Sequence, residues 1–453
     1  MNNIKRVAWE IELKVKGNTL KYKQKLDEWQ WLSKQEILRL QRTKLTALLQ
    51  HAYVHVPYYR HLLLENGTVD ESGNVHLDRF HHLPLLDKDT IKRHFDALKS
   101  DDLDSRSPFE ESSGGSTGVP IKLLQDKQFM DWSSAVKLQD DEWTGMEMGC
   151  RRAYVWGSVR DTLVGRETVK TYLGRWMRNE RWLNSFRMTQ DRMKEFIHEL
   201  NEFKPVQITA FAENLYDLAK FIEERGLYIY TPKAVLTSAG VLHPQMRETI
   251  QRVFKAPVFN RYGSREVGDI ACECDHHHGL HLSAMTHYVE ILNDKGQPVE
   301  PGEYGEIVIT LLTNYTMPLI RYRIGDMGVM SDEECSCGRG MPLLKDVIGR
   351  TTDIFINKNG DRIDGRMFIR LLMSSAFINK FQVVQDRYDR IKIIVDPANK
   401  KLDHYQVYSE EIKRLVEDAR TIMGGQCEVD FEFVDYIEST SSGKYRFTIS
   451  MVH

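Results

Sequence analysis

The chain has 453 residues, too many for one ordinary hydrophobic core, so two or three domains are expected. Hydrophobic content of 41% and charged content of 28% suit a soluble globular protein, and a net charge of −3 gives no overall pull toward nucleic acid or membrane. No run approaches the ~20 apolar residues of a membrane-spanning helix. Residues 1–23 mix charge throughout and do not read as a secretory signal, so cytoplasmic residence is the expectation.

Taken in order, Ser33-Lys34-Gln35-Glu36 has the form of a capping box and opens a helical pattern through Leu38, Leu45, Leu48 and Leu49. Val56-Pro57-Tyr58-Tyr59-Arg60 interrupts it and Leu62–Leu64 resume, giving a helical entry segment over about 30–100. Pro84–Asp89 reads as a loop capping a short helix. Ser112-Ser113-Gly114-Gly115-Ser116-Thr117-Gly118-Val119-Pro120 follows, rich in glycine and hydroxyl side chains. Such a stretch can turn its N–H groups inward to cradle a polyphosphate, or it can be a plain flexible linker. It is neither a Walker A loop nor a G-x-G-x-x-G fingerprint.

Met130–Asp141 reads as a helix and Ala153–Trp156 as a short strand. Arg166–Lys194 carries eight Lys/Arg against three acids, with Trp176, Trp182 and Phe186 interleaved. The favoured reading is a mobile surface insert with solvated charges. The sharper one is an acceptor site or a place of peripheral membrane association. From Pro205 the pattern alternates: strands at Val206–Thr209, Ala234–Thr237 and Val258–Asn260, helices at Leu215–Arg225 and Pro244–Phe254. This predicts a parallel sheet with helical crossovers, whose ligands bind beyond the carboxyl ends of the strands. Ser238-Ala239-Gly240 and Tyr262-Gly263-Ser264 both follow predicted strands and are placed to line a site. Tyr288–Leu292 and Gly305–Leu311 alternate as antiparallel strands. Beyond Gly349-Arg350 the elements make a small α+β tail. The predicted fold class is therefore α/β: a large N-terminal domain (1–348) of parallel and mixed sheets with helical crossovers, and a small, mobile α+β domain (349–453).

Five motifs in order resemble the adenylate-forming superfamily: Ser113–Gly118, Tyr262-Gly263-Ser264-Arg265-Glu266, Arg321–Asp326, Gly349-Arg350 and Ser442-Gly443-Lys444-Tyr445-Arg446. Within it the chain is most similar to the phenylacetate–CoA ligase branch, including relatives encoded in capsular polysaccharide clusters. The resemblance spans about residues 40–450. It implies ATP-dependent attack of a carboxylate on the α-phosphate, giving an acyl-adenylate and pyrophosphate, then transfer to CoA. It assigns Lys444 and Glu266 as catalytic, with Glu266 also holding Mg2+. Ser113, Gly114, Gly115, Ser116, Thr117 and Gly118 would grip the phosphates. Tyr262 would stack on adenine, with Gly263 and Ser264 beside it and Ala239-Gly240 along its edge. Asp326 would bind the ribose, and Arg350 the ribose or phosphate. The run Thr351-Thr352-Asp353 has one acid where the family often shows two, which leaves the hinge placed only to within a residue or two. The acid pocket is expected among Trp156, Phe211, Ala212 and Ser238.

Cys272-Glu273-Cys274, then His276, His277, His278 and His281, then Cys335-Ser336-Cys337 suit a tetrahedral zinc. The set expected is Cys274, His281, Cys335 and Cys337, with Cys272 or His278 as replacements, in a substructure over about 272–340. The alternative is reduced, unpaired cysteines beside a polar histidine loop. The contexts of His281 and Cys335 resemble zinc-bearing members of the branch, which implies a structural role. The expected partners are a carboxylic acid, ATP/AMP and CoA. An amine or hydroxyl acceptor on a sugar precursor, or a non-catalytic nucleotide-binding scaffold, are the competing readings.

Overall fold

Capping chemistry sets the first helices. Ser33 Oγ accepts from the Glu36 N–H while Glu36 Oε2 accepts from the Ser33 N–H, a complete capping box for the helix Lys34–His55. Pro57 then occupies the first turn of the helix Pro57–Glu65, where its missing N–H costs nothing. Asp87 and Asp126 cap the helices Lys88–Arg93 and Lys127–Trp143 in the same way. The computed structural model describes residues 2–112, 121–157, 169–293, 295–350, 354–373, 375, 377–398, 404–437 and 446–452. They fall into two units, 1–347 and 348–453.

The strands in chain order are β1 (Phe109–Ser112), β2 (Lys122–Gln125), β3 (Arg152–Val155), β4 (Glu180–Leu183), β5 (Gln207–Phe211), β6 (Ala234–Ser238), β7 (Val258–Ser264), β8 (Gly268–Glu273), β9 (Leu280–Leu282), β10 (His287–Leu292), β11 (Tyr304–Leu311), β12 (Tyr322–Ser331) and β13 (Leu343–Arg350). The second unit adds β14 (Ile354–Ile356), β15 (Arg362–Asp364), β16 (Ile378–Arg387), β17 (Arg390–Pro397), β18 (Glu428–Phe433) and β19 (Thr448–Ser450). Strands β3 to β13 form one sheet of eleven, in the order β10-β11-β12-β13-β9-β8-β7-β6-β5-β3-β4. β4, β3, β5, β6 and β7 run parallel, and β7 turns back antiparallel into β8 and β9. β5 and β6 are buried at every position, as strands covered on both faces must be. This is the mixed α/β architecture that the alternation predicts.

The entry helices cover the mixed half of the sheet. Leu45, Leu48, Leu49 and Ala52 share a core with Ile307, Ile309, Leu311 and Tyr322, each at most 2% exposed. At about 1.5–3 kcal/mol per buried large apolar side chain, this contact fixes the segment on the sheet.

Two expectations need correction. Arg166–Lys194 is not an insert over its described part: Val169–Met177 is helical, β4 is an edge strand of the main sheet, and Gln190–Phe203 is a helix. The residues of β4 pair with β3 from Arg152↔Glu180 to Val155↔Leu183, so backbone pairing holds a segment whose charges alone suggested solvent. Second, Tyr262–Ser264 do not follow a strand but form the end of β7, which runs four residues past the expected Asn260 because β8 folds back on it.

In the second unit, β16 and β17 pair antiparallel and take β19 and β18 as parallel outer neighbours, in the order β18-β17-β16-β19. The helices Arg366–Met373 and Ser409–Ile422 cover this sheet through a core that includes Phe368, Leu372, Val383, Ile393 and Leu415.

Candidate active site

Because β3, β5, β6 and β7 are parallel, their carboxyl ends share one edge of the sheet. Trp156, just past β3, packs on Phe211 at the end of β5, with ring centroids 4.2 Å apart. Ser238 ends β6 beside them in register with Phe211. Ala212 is wholly buried as the first residue of the helix Ala212–Glu224. Ala239 follows with φ +70°, a backbone that costs about 1–3 kcal/mol for a residue other than glycine. At Gly240 a Cβ would fall 2.0 Å from Glu213 Oε1, so a larger residue there would have to displace that carboxylate. The Ala239-Gly240 turn thus presents bare backbone at the strand edge.

The β7–β8 hairpin carries the next group. A bulge between Tyr262 and Gly263 displaces the register, and a Cβ at Gly263 would meet the Gly268 carbonyl at 2.7 Å. Tyr262 then reaches across to β12, where its hydroxyl donates to Asp326 Oδ2 at 2.8 Å. Asp326 faces it because β12 is itself irregular: its pairing with β11 jumps from Glu306↔Met327 to Val308↔Arg323, and Gly325 takes φ +85°. Asp326 is 8% and Glu266 7% exposed, the latter in the turn between β7 and β8. Ser264 closes that hairpin opposite Gly268, with a buried hydroxyl.

Gln125 is a functional neighbour the sequence reading missed. Its side-chain amide donates to the carbonyls of Arg265 and Glu266, at 3.0 and 3.3 Å. It ends β2, and β2 pairs antiparallel with β1 from Ser112↔Lys122 to Phe109↔Gln125. The glycine-rich stretch joins those two strands at the Ser112–Lys122 end, while Gln125, at the opposite end of the pair, ties β2 to the Glu266 turn. Ser113, Gly114, Gly115, Ser116, Thr117 and Gly118 themselves lie outside the described residues, as do Thr351-Thr352-Asp353 and Lys444. Arg350 ends β13, after Gly349 at φ +128°. Just past Lys444, the Arg446 carbonyl accepts from Gln382 at 2.9 Å and Phe447 packs on Phe381 with centroids 5.1 Å apart. Glu213 is the second missed neighbour; only the fold reveals it against Gly240.

Away from the strand edge, the ligand atoms of Cys274, His281, Cys335 and Cys337 all lie within 4.8 Å of one another. Cys274 Sγ is 3.8 Å from Cys335 Sγ, and Cys337 Sγ is 3.4 Å from His281 Nε2. A zinc tetrahedron with ~2.3 Å Zn–S and ~2.0 Å Zn–N bonds has edges of about 3.8 Å between sulfurs and about 3.6 Å from sulfur to nitrogen. The donor set therefore fits that ion in type and spacing. Burial pushes the Cys274 and Cys335 thiols up, so a cation is what would make thiolates there favourable. Burial also lowers His281 to about 4, leaving its imidazole neutral, the ligating form, at pH 7. Cys272 and His278 stand apart: Cys272 Sγ faces the Glu273 carbonyl and His278 Nε2 meets Glu333 at 2.8 Å.

Residues 355–451 match the family of the CapK C-terminal domain. Over the whole length, the chain is 23% identical to Protein CapK of Staphylococcus aureus, covering 92% of this chain and 90% of that one. It is 24% identical to a phenylacetate-coenzyme A ligase of Thermus thermophilus, covering 86% of each. Among solved structures, 2-hydroxyisobutyryl-CoA ligase in complex with an acyl-AMP superposes with a TM-score of 0.70 at 18% identity, over 91% of this chain and 88% of that one. That likeness establishes a shared fold.

Proposed function

We propose that this chain, a homologue of CapK and the phenylacetate-coenzyme A ligases with the fold of the acyl-CoA ligases, is an AMP-forming ligase that activates a carboxylic acid and passes the acyl group to CoA. The observation that carries the reading is the 2.8 Å contact of Tyr262 with Asp326, which joins two distant strands beside the bare Ala239-Gly240 turn. A ring, an acceptor carboxylate and exposed backbone at the carboxyl edge of a parallel sheet suit a nucleoside.

In the first half-reaction, a carboxylate oxygen of the acid forms a bond to the α-phosphorus of ATP, and the bond to pyrophosphate breaks. Two anions meet, and unit charges 4 Å apart repel by roughly 4 kcal/mol at an effective dielectric near 20. Lys444 is the cation assigned to offset that repulsion where charge builds up. Ser113, Ser116 and Thr117 would hold the leaving phosphates with hydroxyl and backbone donors. Asp326 accepts from the ribose hydroxyls, and Arg350 adds charge on the nucleotide. Glu266 is the carboxylate that would hold Mg2+, which supplies Lewis-acid neutralisation of the phosphates. In the second half-reaction a thiol sulfur bonds the acyl carbon and AMP leaves.

Trp156, Phe211, Ala212 and Ser238 are the residues against which the acid would lie, three apolar side chains and one hydroxyl. Cys274, His281, Cys335 and Cys337 would hold a structural zinc. Four protein ligands leave no position open, so it takes no part in the reaction.

ATP–pyrophosphate exchange across a panel of carboxylic acids tests the first half. AMP release that depends on CoA tests the second. Exchange without CoA-dependent release would move the acceptor to an amine or hydroxyl, as on a polysaccharide precursor. Failure of exchange with every acid would favour a nucleotide-binding scaffold.

A further inference from the structure

The helix Asn2–Lys16 turns an apolar face outward. Ile4, Val7, Ile11 and Val15 recur at three- and four-residue spacing and are 75%, 52%, 56% and 81% exposed. Beside it lies the helix Val169–Met177, on which Tyr172, Leu173 and Trp176 share a face and are 59%, 54% and 56% exposed. The two helices adjoin: Lys5 Nζ sits 4.8 Å above the Trp176 ring and donates to Asn179 Oδ1 at 3.0 Å. Seven of the twenty-one large apolar side chains exposed among the described residues fall on these two short helices. Single exposed apolar residues are ordinary, but a cluster of this kind marks an interaction surface.

The surrounding charge selects the occupant. Residues 2–16 and 169–181 hold eight Lys/Arg against three Glu, while the whole chain is net −3. The two segments thus carry a basic excess that the whole chain lacks, although Arg6, Lys16, Arg178 and Arg181 pair with Glu10, Glu12, Glu180 and Glu199. Exposed tryptophan and tyrosine with lysine and arginine beside them suit the boundary between lipid headgroups and acyl chains. The core of a protein interface, in contrast, is depleted in lysine. A fifteen-residue helix is about 22 Å long and charged throughout, so it can lie on a bilayer but not cross it.

We propose that the face formed by Asn2–Lys16 and Val169–Met177 docks this protein on an anionic lipid bilayer. Ile4, Val7, Ile11, Val15, Leu173 and Trp176 enter the interface, and the neighbouring lysines and arginines meet the headgroups.

The test uses the full chain with vesicles of phosphatidylcholine mixed with phosphatidylglycerol, and with phosphatidylcholine alone. Sedimentation with the mixed vesicles, weakened by salt and by omission of phosphatidylglycerol, is expected. The double variant Ile11→Ser/Trp176→Ser should bind those vesicles at least about tenfold more weakly, with an unchanged thermal melt. Val7→Ser/Val15→Ser, which changes no ring contact, should do the same if the first variant melts early. No sedimentation of the native chain, or equal binding by the native chain and both variants, overturns the proposal. So does equal binding to neutral vesicles. A concentration-dependent dimer that the same substitutions abolish, without vesicle binding, assigns the face to a second copy and also overturns it.

Discussion

Cys337→Ser gives the sharpest test of the proposed metal centre. Cys337 lies 3.4 Å from His281 Nε2, and the cluster's other three donors are all buried. Replacing the sulfur leaves three donors and opens one corner of the tetrahedron, which a serine hydroxyl fills poorly because it ionises far less readily than a thiol. Structural zinc contributes about 10–16 kcal/mol to the folding of a small metal domain. Here the unit also rests on a large apolar core, so only part of that stabilisation can be coupled to global unfolding. Even about 4 kcal/mol would lower the Tm of the unit 1–347 by roughly 5 °C. The loss would centre on the segments after Glu266 and after Asp326, because Cys274 and His281 lie on one side of the cluster's sequence and Cys335 and Cys337 on the other. The assay is metal content by mass spectrometry of the purified chain, paired with thermal melts with and without a strong chelator. One zinc per native chain, none per variant, and a lowered Tm for both the variant and the chelated chain are expected. A native chain free of metal whose Tm ignores the chelator would refute the reasoning.

The sequence carried the parallel half of the sheet well, because β5 and β6 and the helix Pro244–Phe254 announce themselves by short apolar runs and periodic faces. It carried the entry helix to the residue, since a capping box is a local hydrogen-bond pattern that needs no tertiary context. The N-terminal helices Asn2–Lys16 and Thr19–Trp29 went unread because charged residues crowd between their apolar positions and neither helix has an acidic first turn to announce its start. The segment Arg166–Lys194 misled for a related reason. Composition reports charge, while the pairing of β4 with β3 is set by backbone groups that composition does not show. The family resemblance singled out Tyr262 and Asp326, which the fold brings into contact, and the Cys/His spacing singled out Cys274, His281, Cys335 and Cys337, which it brings together. Neither could find Gln125 or Glu213, whose partners are backbone carbonyls 140 and 141 residues away and a glycine in the turn after β6. Such contacts belong to the fold rather than to any local run of residues.

Three further outcomes are expected. Lys444→Ala should lower acyl-adenylate formation by orders of magnitude while ATP affinity stays nearly unchanged, read by pyrophosphate exchange and equilibrium binding; equal loss of both would count against its role. Tyr262→Phe removes the 2.8 Å hydrogen bond to Asp326, worth about 1.5–3 kcal/mol for a charged acceptor, and should lower stability in urea melts by up to about that amount; an unchanged stability would mean that the contact holds nothing in place. The third concerns acid sensitivity. His287 is 2% exposed and burial holds it at about 4, against an ordinary value near 6.5. Its Nε2 lies 2.8 Å from the Val267 carbonyl and its Nδ1 2.9 Å from Thr286 Oγ1, so the neutral ring bridges β10 to the hairpin that carries Glu266. Because the folded value is depressed, the unfolded chain takes up this proton first as pH falls. The contribution is fully present above pH 6.5 and drains away toward pH 4, by about 3 kcal/mol in all. Urea melts across that range should show His287→Gln less stable at pH 7 but with a shallower decline toward pH 4. Parallel declines for variant and native chain would mean that other groups govern the acid limb and that this histidine is not held neutral by its surroundings.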